Sequence, residues 1–199
     1  MSTKPAYPAL STTRKTGEEE FLSKGETADF NLLSFWRWSA SDLVSNATRG
    51  ILAEFLVAQA LGLATGVRAE WDSYDLQLED GRTIEVKSAA YLQTWKQKAL
   101  SLISFGIAPT TAWNPTTSEF GSEKKRQADL YVFCLLETKE QDKLNPMDLD
   151  QWVFYALPTT ALDAACPTQG SIGFNALLKL DPVICRYAEL ADVVRAFKG

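Results

Sequence analysis

Three side chains that could work together lie on either side of one turn: Asp75 in YDLQLEDG, and Glu85 and Lys87 in IEVKS. A two-residue loop at Asp80-Gly81 would pair Asp75 with Val86 and set a polar residue beside an apolar one on each face. A three-residue loop, Glu79-Asp80-Gly81 with Gly81 in the left-handed conformation, pairs Asp75 with Glu85 and Gln77 with Thr83, leaving Leu76 against Ile84 and Tyr74 against Val86 on the core side. Face consistency selects the second loop. Two carboxylates held opposite one another, with Cβ atoms about 5 Å apart, repel unless a cation sits between them or one is protonated. A metal ion resolves the conflict. Lys87 lies two residues beyond Glu85 on the same face, about 7 Å along the strand. Hard oxygen donors without His or Cys point to Mg²⁺ or Mn²⁺, ions that keep several waters and bind phosphate.

A third carboxylate belongs to a helix. From Asn46 to Leu61, Ile51, Leu52, Phe55, Leu56, Ala58 and Leu61 recur at helical spacing, with Ser45 or Asn46 as cap and Gly62 just past the end. Glu54 falls on or beside that apolar stripe, where a charge needs a partner. Arg49 and Arg68 are the structural candidates, and the carboxylate pair on the hairpin is the chemical one.

The elements around these residues follow from pattern. Tyr74, Leu76 and Leu78, then Ile84 and Val86, alternate with polar residues as a half-buried hairpin does. Tyr91 to Lys98 reads as a short helix and Leu100 to Ile107 as a strand. Asp129 to Leu136 is apolar on both faces and belongs mid-sheet, with Tyr131 and Phe133 in the core. Trp152 to Leu157 reads as a further strand ended by Pro158, and Leu190, Val194 and Phe197 mark a terminal helix. The fold class is α/β, a mixed central sheet flanked by helices. Residues 1–28 mix Pro, Ser, Thr, Lys and three consecutive Glu without periodicity and are expected to form a poorly ordered arm, leaving 29–199 as one domain.

Composition removes much chemistry. With no His among 199 residues, the chain has no Ser-His-Asp or Cys-His triad, no HNH-type nuclease site and no mixed Cys/His zinc site. Cys134, Cys166 and Cys185 are odd in number and lack CxxC spacing, which argues for a reducing compartment. The first fifteen residues lack an apolar signal core, and Glu54 and Gln59 interrupt the best apolar run, so a cytoplasmic protein with no membrane partner is expected. The net charge of −5 is unevenly spread: residues 82–126 carry seven Lys/Arg against three Asp/Glu, and residues 127–163 two against seven. A basic region of that kind suits a nucleic acid.

Taken with their elements, these residues resemble the PD-(D/E)XK nuclease superfamily of restriction-endonuclease-like fold. Its core order is α-β-β-β-α-β, with a Glu on the first helix, an Asp on the second strand and D/E-x-K on the third. The matching positions are Glu54 in RGILAEFLVAQALG, Asp75 in YDLQLEDG, and Glu85 and Lys87 in IEVKS, across roughly residues 45–136. EVKS followed by a short helix is also similar to Holliday-junction-resolvase-like members. The D/E-x-K tripeptide recurs at Glu123-Lys124-Lys125 and Glu137-Thr138-Lys139, but only Glu85-Val86-Lys87 has an apolar middle residue, an alternating strand and a facing acid. Tyr74 stands where the superfamily often has Pro.

The resemblance implies Mg²⁺-dependent (or Mn²⁺-dependent) hydrolysis of DNA phosphodiester bonds by an endonuclease of restriction, repair or phage and mobile-element defence type. It implies that Asp75, Glu85 and the Val86 carbonyl hold the ion and that Lys87 positions the attacking water or stabilises developing charge. Glu54 would then ligate directly, act through water or bind a second ion. Gln93 and Gln97, four apart with Lys96 and Lys98 beside them, could face a phosphate backbone from the helix after the third strand. Lys124, Lys125 and Arg126 form a cationic cluster in an expected loop. Phe35-Trp36-Arg37-Trp38 is read as core packing or an oligomer contact before base stacking, with a homodimer left open. The alternatives are a non-catalytic nucleic-acid-binding or assembly module that keeps the fold and, more weakly, a hydrolase of small phosphoesters.

Overall fold

The computed structural model describes residue 7 and residues 10–68, 70, 72–114 and 119–197. Residues 1–6, 8 and 9 of the expected arm lie outside them. In chain order the elements are β1 (Glu20–Ser23), β2 (Glu26–Asn31), α1 (Leu32–Ala40), α2 (Asn46–Leu61), β3 (Leu76–Gln77), β4 (Thr83–Ala90), β5 (Ser104–Gly106), β6 (Thr110–Asn114), β7 (Glu119–Lys125), β8 (Leu130–Leu136), β9 (Trp152–Pro158), α3 (Thr159–Ala165), β10 (Ser171–Gly173), α4 (Phe174–Leu178), β11 (Val183–Cys185) and α5 (Tyr187–Ala196).

The architecture is mixed α/β around a five-stranded sheet of order β11-β9-β8-β4-β3. β4 and β8 run parallel, and the remaining neighbours are antiparallel. Strand β8 occupies the middle and all seven of its residues are buried, as expected for a segment apolar on both faces. On one face, Ala53, Leu56, Val57 and Leu61 of α2 pack with Leu190 and Val194 of α5 over Ile84, Val86, Val132 and Phe154. On the other, Tyr131, Phe133, Tyr155 and Leu157 pack against Phe105, Ile107, Leu162 and Leu177.

Helix α2 starts and stops where its signals lie. Ser45 Oγ accepts from Thr48 N, and Gly62 (φ 77°) closes the C-terminus by donating to Ala58 O and Gln59 O. Among the described residues, no helix is long and apolar enough to cross a membrane. All three cysteines are free thiols.

Several expectations are corrected. Residues 20–31 of the supposed arm region form an antiparallel hairpin, made by a turn in which Lys24 (φ 53°) and Gly25 (φ 86°) both adopt the left-handed region. A two-residue hairpin turn of that type requires it. The exposed strands hide no apolar face, so they carry no alternation to read. Tyr91 to Lys98 is irregular rather than helical, because the side chains of Gln93 and Gln97 take the loop's own backbone as partners. Ser104–Gly106 is a strand, but it pairs with β10 outside the main sheet. The connection from β4 to β8 therefore carries β5 and the β6–β7 ribbon where the superfamily core has a helix. The aromatic cluster of α1 is not core: the helix has no buried residue, and Phe35, Trp36 and Trp38 are exposed.

Candidate active site

The hairpin adopts the three-residue loop. Leu76 pairs with Ile84 and Gln77 with Thr83, Leu78 N donates to Arg82 O (2.8 Å), and Gly81 has φ 90°. The ladder ends at Asp75. Its N–H still donates to Ile84 O (3.0 Å), but the N–H of Val86 donates to Asp75 Oδ2 (2.7 Å) instead of to a β3 carbonyl. Beyond Ile84, then, the outer edge of β4 has exchanged a strand partner for a carboxylate, and the expected ladder pairings of Asp75 with Glu85 and of Tyr74 with Val86 are both absent.

This carboxylate sits among its own kind. Burial first and Glu85 second push the Asp75 pKa up to about 6, against the Val86 N–H and Lys87, which pull it down; Glu54 adds to the upward push. Glu85 and Lys87 share a face of β4 with Ala89, and their side chains form an ion pair, 20% and 32% exposed. Glu54 approaches from α2, which covers the opposite face. It forms a two-point ion pair with Arg68, which uses Nε to Oε2 and Nη2 to Oε1 (2.9 Å). Arg68, and not Arg49, is thus its partner, and the guanidinium is held above its ordinary pKa by that carboxylate. The pair does not remove Glu54 from the hairpin. Glu54, Arg68, Tyr74 and Asp75 line one pocket of ≈ 430 Å³.

Among the described residues no group of three acidic or thiol side chains converges as a ready metal site. What the structure offers is a pair of crowded carboxylates, Asp75 and Glu85, with the Val86 backbone between them. All are hard oxygen donors. That set suits Mg²⁺ or Mn²⁺, which hold most of their own water and need few protein ligands.

The expected nucleic-acid residues separate into two groups. Lys96 and Lys98 are exposed on the loop after β4, and Lys124 and Lys125 are exposed on β7, a strand rather than a loop. Arg126 is 5% exposed and fully engaged: Nε donates to Ile107 O (2.8 Å), Nη2 to Cys166 O (2.6 Å) and Nη1 to Asp163 Oδ1 (2.6 Å). It is a structural arginine and not a phosphate ligand. Gln93 and Gln97 are half-buried and spent on the loop, Gln97 Oε1 accepting from Gln93 N (2.7 Å) and Gln97 Nε2 donating to Tyr91 O (3.2 Å). Arg82 is also committed, to Asp80 and to the last carbonyls of α5. In the sequence Arg49 reads as a candidate partner for Glu54. It sits at i−4 and i−7 to Ala53 and Leu56 on the buried stripe, a signal as legible as the one that singled out Glu54.

A five-stranded mixed sheet with helices packed on it is consistent with an α/β nuclease-like core. Residues 2–162 match the family model of bacteriophage T4 endonuclease IV, and with most of its length covered the chain belongs to that family, a family of endonucleases. No curated protein matches the chain.

Proposed function

We propose that the protein is a Mg²⁺- or Mn²⁺-dependent DNA endonuclease of PD-(D/E)XK type, serving restriction, repair or defence of a phage or mobile element. One observation supports this reading: in a chain of an endonuclease family, the Asp75 carboxylate accepts from the Val86 N–H, between Glu85 and Lys87 in sequence, and burial with the Glu85 charge pushes its pKa up to about 6. Asp75, Glu85 and the Val86 carbonyl would hold the divalent ion. When bound, the ion supplies a Lewis acid for the scissile phosphate and a water of lowered pKa.

The remaining roles fall to the chain. Val86 N–H fixes the orientation of Asp75 by donating to Oδ2, leaving Oδ1 free for the ion. Lys87, paired with Glu85, would hold the attacking water or the charge developing on the phosphate. Arg68 neutralises Glu54 without substrate and can hand it over to water or a second ion. Exposed Lys96, Lys98, Lys124 and Lys125 would meet the DNA backbone.

Incubation of supercoiled plasmid with Mg²⁺, Mn²⁺ or EDTA tests the reading, with Lys87→Ala as the decisive variant. An ammonium is no metal ligand, so Lys87→Ala should keep its fold and metal affinity and lose on the order of a hundredfold or more in rate. Cleavage at the wild-type rate by a pure preparation of Lys87→Ala would return the protein to the reading of a binding module that keeps the fold.

A further inference from the structure

Helix α2 begins with a positive charge that has no carboxylate partner among the described residues. Arg49 is 4% exposed. Nη1 donates to Val44 O (2.8 Å) and, at 3.4 Å, to Gln93 Oε1, and Nη2 donates to Asn46 Oδ1 (2.8 Å); each acceptor is neutral. Nε is buried with no partner among the described residues. Burial pulls its pKa down with no neighbouring carboxylate opposing, although a guanidinium stays charged in spite of this.

The helix end makes the situation more electropositive. No acid occupies the first turn of α2, and the aligned peptide dipoles put partial positive charge at that terminus, the end least suited to a cation. Other arginines of this chain are treated differently. Arg68 has Glu54 and buried Arg126 has Asp163. A buried cation without a counter-ion is costly unless one arrives from outside.

An entrance exists. Arg49 lines a pocket of ≈ 410 Å³ shared with the polar side chains of Asn46, Ser88, Gln93 and Ser101 and with Trp95 and Leu102. Ser88 to Ala90 of this pocket follow Lys87 directly along the open edge of β4. At about 3.3 Å per strand residue they lie roughly 3–10 Å further on, within a few nucleotides along a bound strand.

We propose that this pocket binds a backbone phosphate of the substrate strand, one to three nucleotides from the phosphate that is cut, with Arg49 as its counter-ion. The proposal rests on the nuclease reading above and deepens it. Arg49 acts as a binding residue, fixing where along the strand the scissile bond meets Lys87. Lys87 of β4 and Arg49 of α2, one catalytic and one anchoring, hold the substrate at two points.

The test uses the full chain and a labelled oligonucleotide in Ca²⁺, read by fluorescence anisotropy, with a set of oligonucleotides each carrying one neutral methylphosphonate. Wild type should lose about tenfold in affinity at one position within three nucleotides of the mapped cut. Arg49→Gln should bind about tenfold more weakly throughout, lose nothing more at that position, and show a salt slope smaller by about one. Because Arg49→Gln also removes the bonds to Val44 and Asn46, Ser88→Asp serves as a second variant. It gives Arg49 an internal carboxylate, so its melting temperature should hold or rise while affinity falls about tenfold.

A folded Arg49→Gln with the wild-type affinity and methylphosphonate profile overturns the proposal. If Arg49→Gln does not fold, a flat wild-type scan together with wild-type binding by Ser88→Asp does the same. Inorganic phosphate that raises the wild-type melting temperature, with no sensitive position in the scan, assigns the pocket to a free anion and overturns the strand assignment. Plasmid cleavage by wild type in Mg²⁺ is scored separately. Its absence removes the nuclease reading while the anisotropy series still decides the pocket.

Discussion

Strands β4 and β8 are parallel neighbours in perfect step, from Ile84 beside Leu130 to Ala90 beside Leu136, yet they do opposite work. β8 is paired along its whole length on both sides, to β4 and to β9, and every residue is buried. β4 is paired along its whole length only toward β8; toward β3 it has two register pairs and then an edge where a carboxylate accepts from its backbone. On the proposed function, stability and chemistry are thereby separated by one strand spacing. A strand locked on one side positions side chains rigidly, and an open edge on the other lets a substrate approach them.

That division is broken most forcefully from the β8 side. Phe133 is 0% exposed and packs on Phe105 with ring centroids 5.0 Å apart. Phe133→Ala should cost about 3–5 kcal/mol in urea unfolding, the usual range for an aromatic emptied from a core. Its cleavage rate, measured well below its melting temperature, should match that of wild type. A folded variant that cuts many times more slowly would show that β8 shapes the site beyond holding β4 in place.

A change on β4's edge should invert the pattern. In the folded protein the Asp75 pKa is about 6, against a reference of 3.8. The folded state therefore holds the proton more tightly than the unfolded one, so stability falls as pH rises from about 4 to about 6 and stays at its reduced level above. Two units correspond to at most about 3 kcal/mol, less whatever solvent screens. In EDTA at pH 7.5, Asp75→Asn should be more stable than wild type by about 1–3 kcal/mol, since Asn can still accept from Val86 and no longer repels Glu85. At pH 4 the two proteins should melt together. Mg²⁺ should then stabilise wild type and leave Asp75→Asn nearly unmoved, because metal binding requires the ionised carboxylate. A stability difference that does not vary between pH 4 and 7.5 would mean that carboxylate crowding is absent.

The sequence made the first half of this division legible and part of the second. Helix α2 is bounded by Ser45 and Gly62 because both caps are local chemistry, and the hairpin register follows from face consistency over a few residues. The all-apolar run of β8 could only be central. What could not be read depends on partners distant in the chain. Arg126 looks like the third member of a solvated basic run, yet its three acceptors lie 19, 37 and 40 residues away. Gln93 and Gln97 have helical spacing, but their amides fold back on the loop and replace the helix they suggest. Glu54 has the burial pattern of a charge needing a partner, and only the fold chooses Arg68 over Arg49.

The weakest effect should come from the part of the basic region that the core does not consume. Lys124 and Lys125 are exposed on the β6–β7 ribbon, which is separate from the main sheet, and Lys125 leans toward Glu123 at 3.7 Å. Neither holds the fold. Replacing both by Ala should leave the melting temperature within about a degree or two, as surface positions do. If the ribbon touches DNA, each free lysine releases about one counterion on binding, so the slope of log affinity against log salt should shrink by up to about 2. The shrinkage should be nearer 1 if Lys125 stays with Glu123. Affinity should drop only a few-fold near physiological salt, without a change in cutting position, because a phosphate contact positions and does not specify. An unchanged salt slope in the double variant would take the ribbon off the DNA and leave Lys96 and Lys98, on the loop that follows the open edge of β4, as the exposed cations closest in sequence to the site.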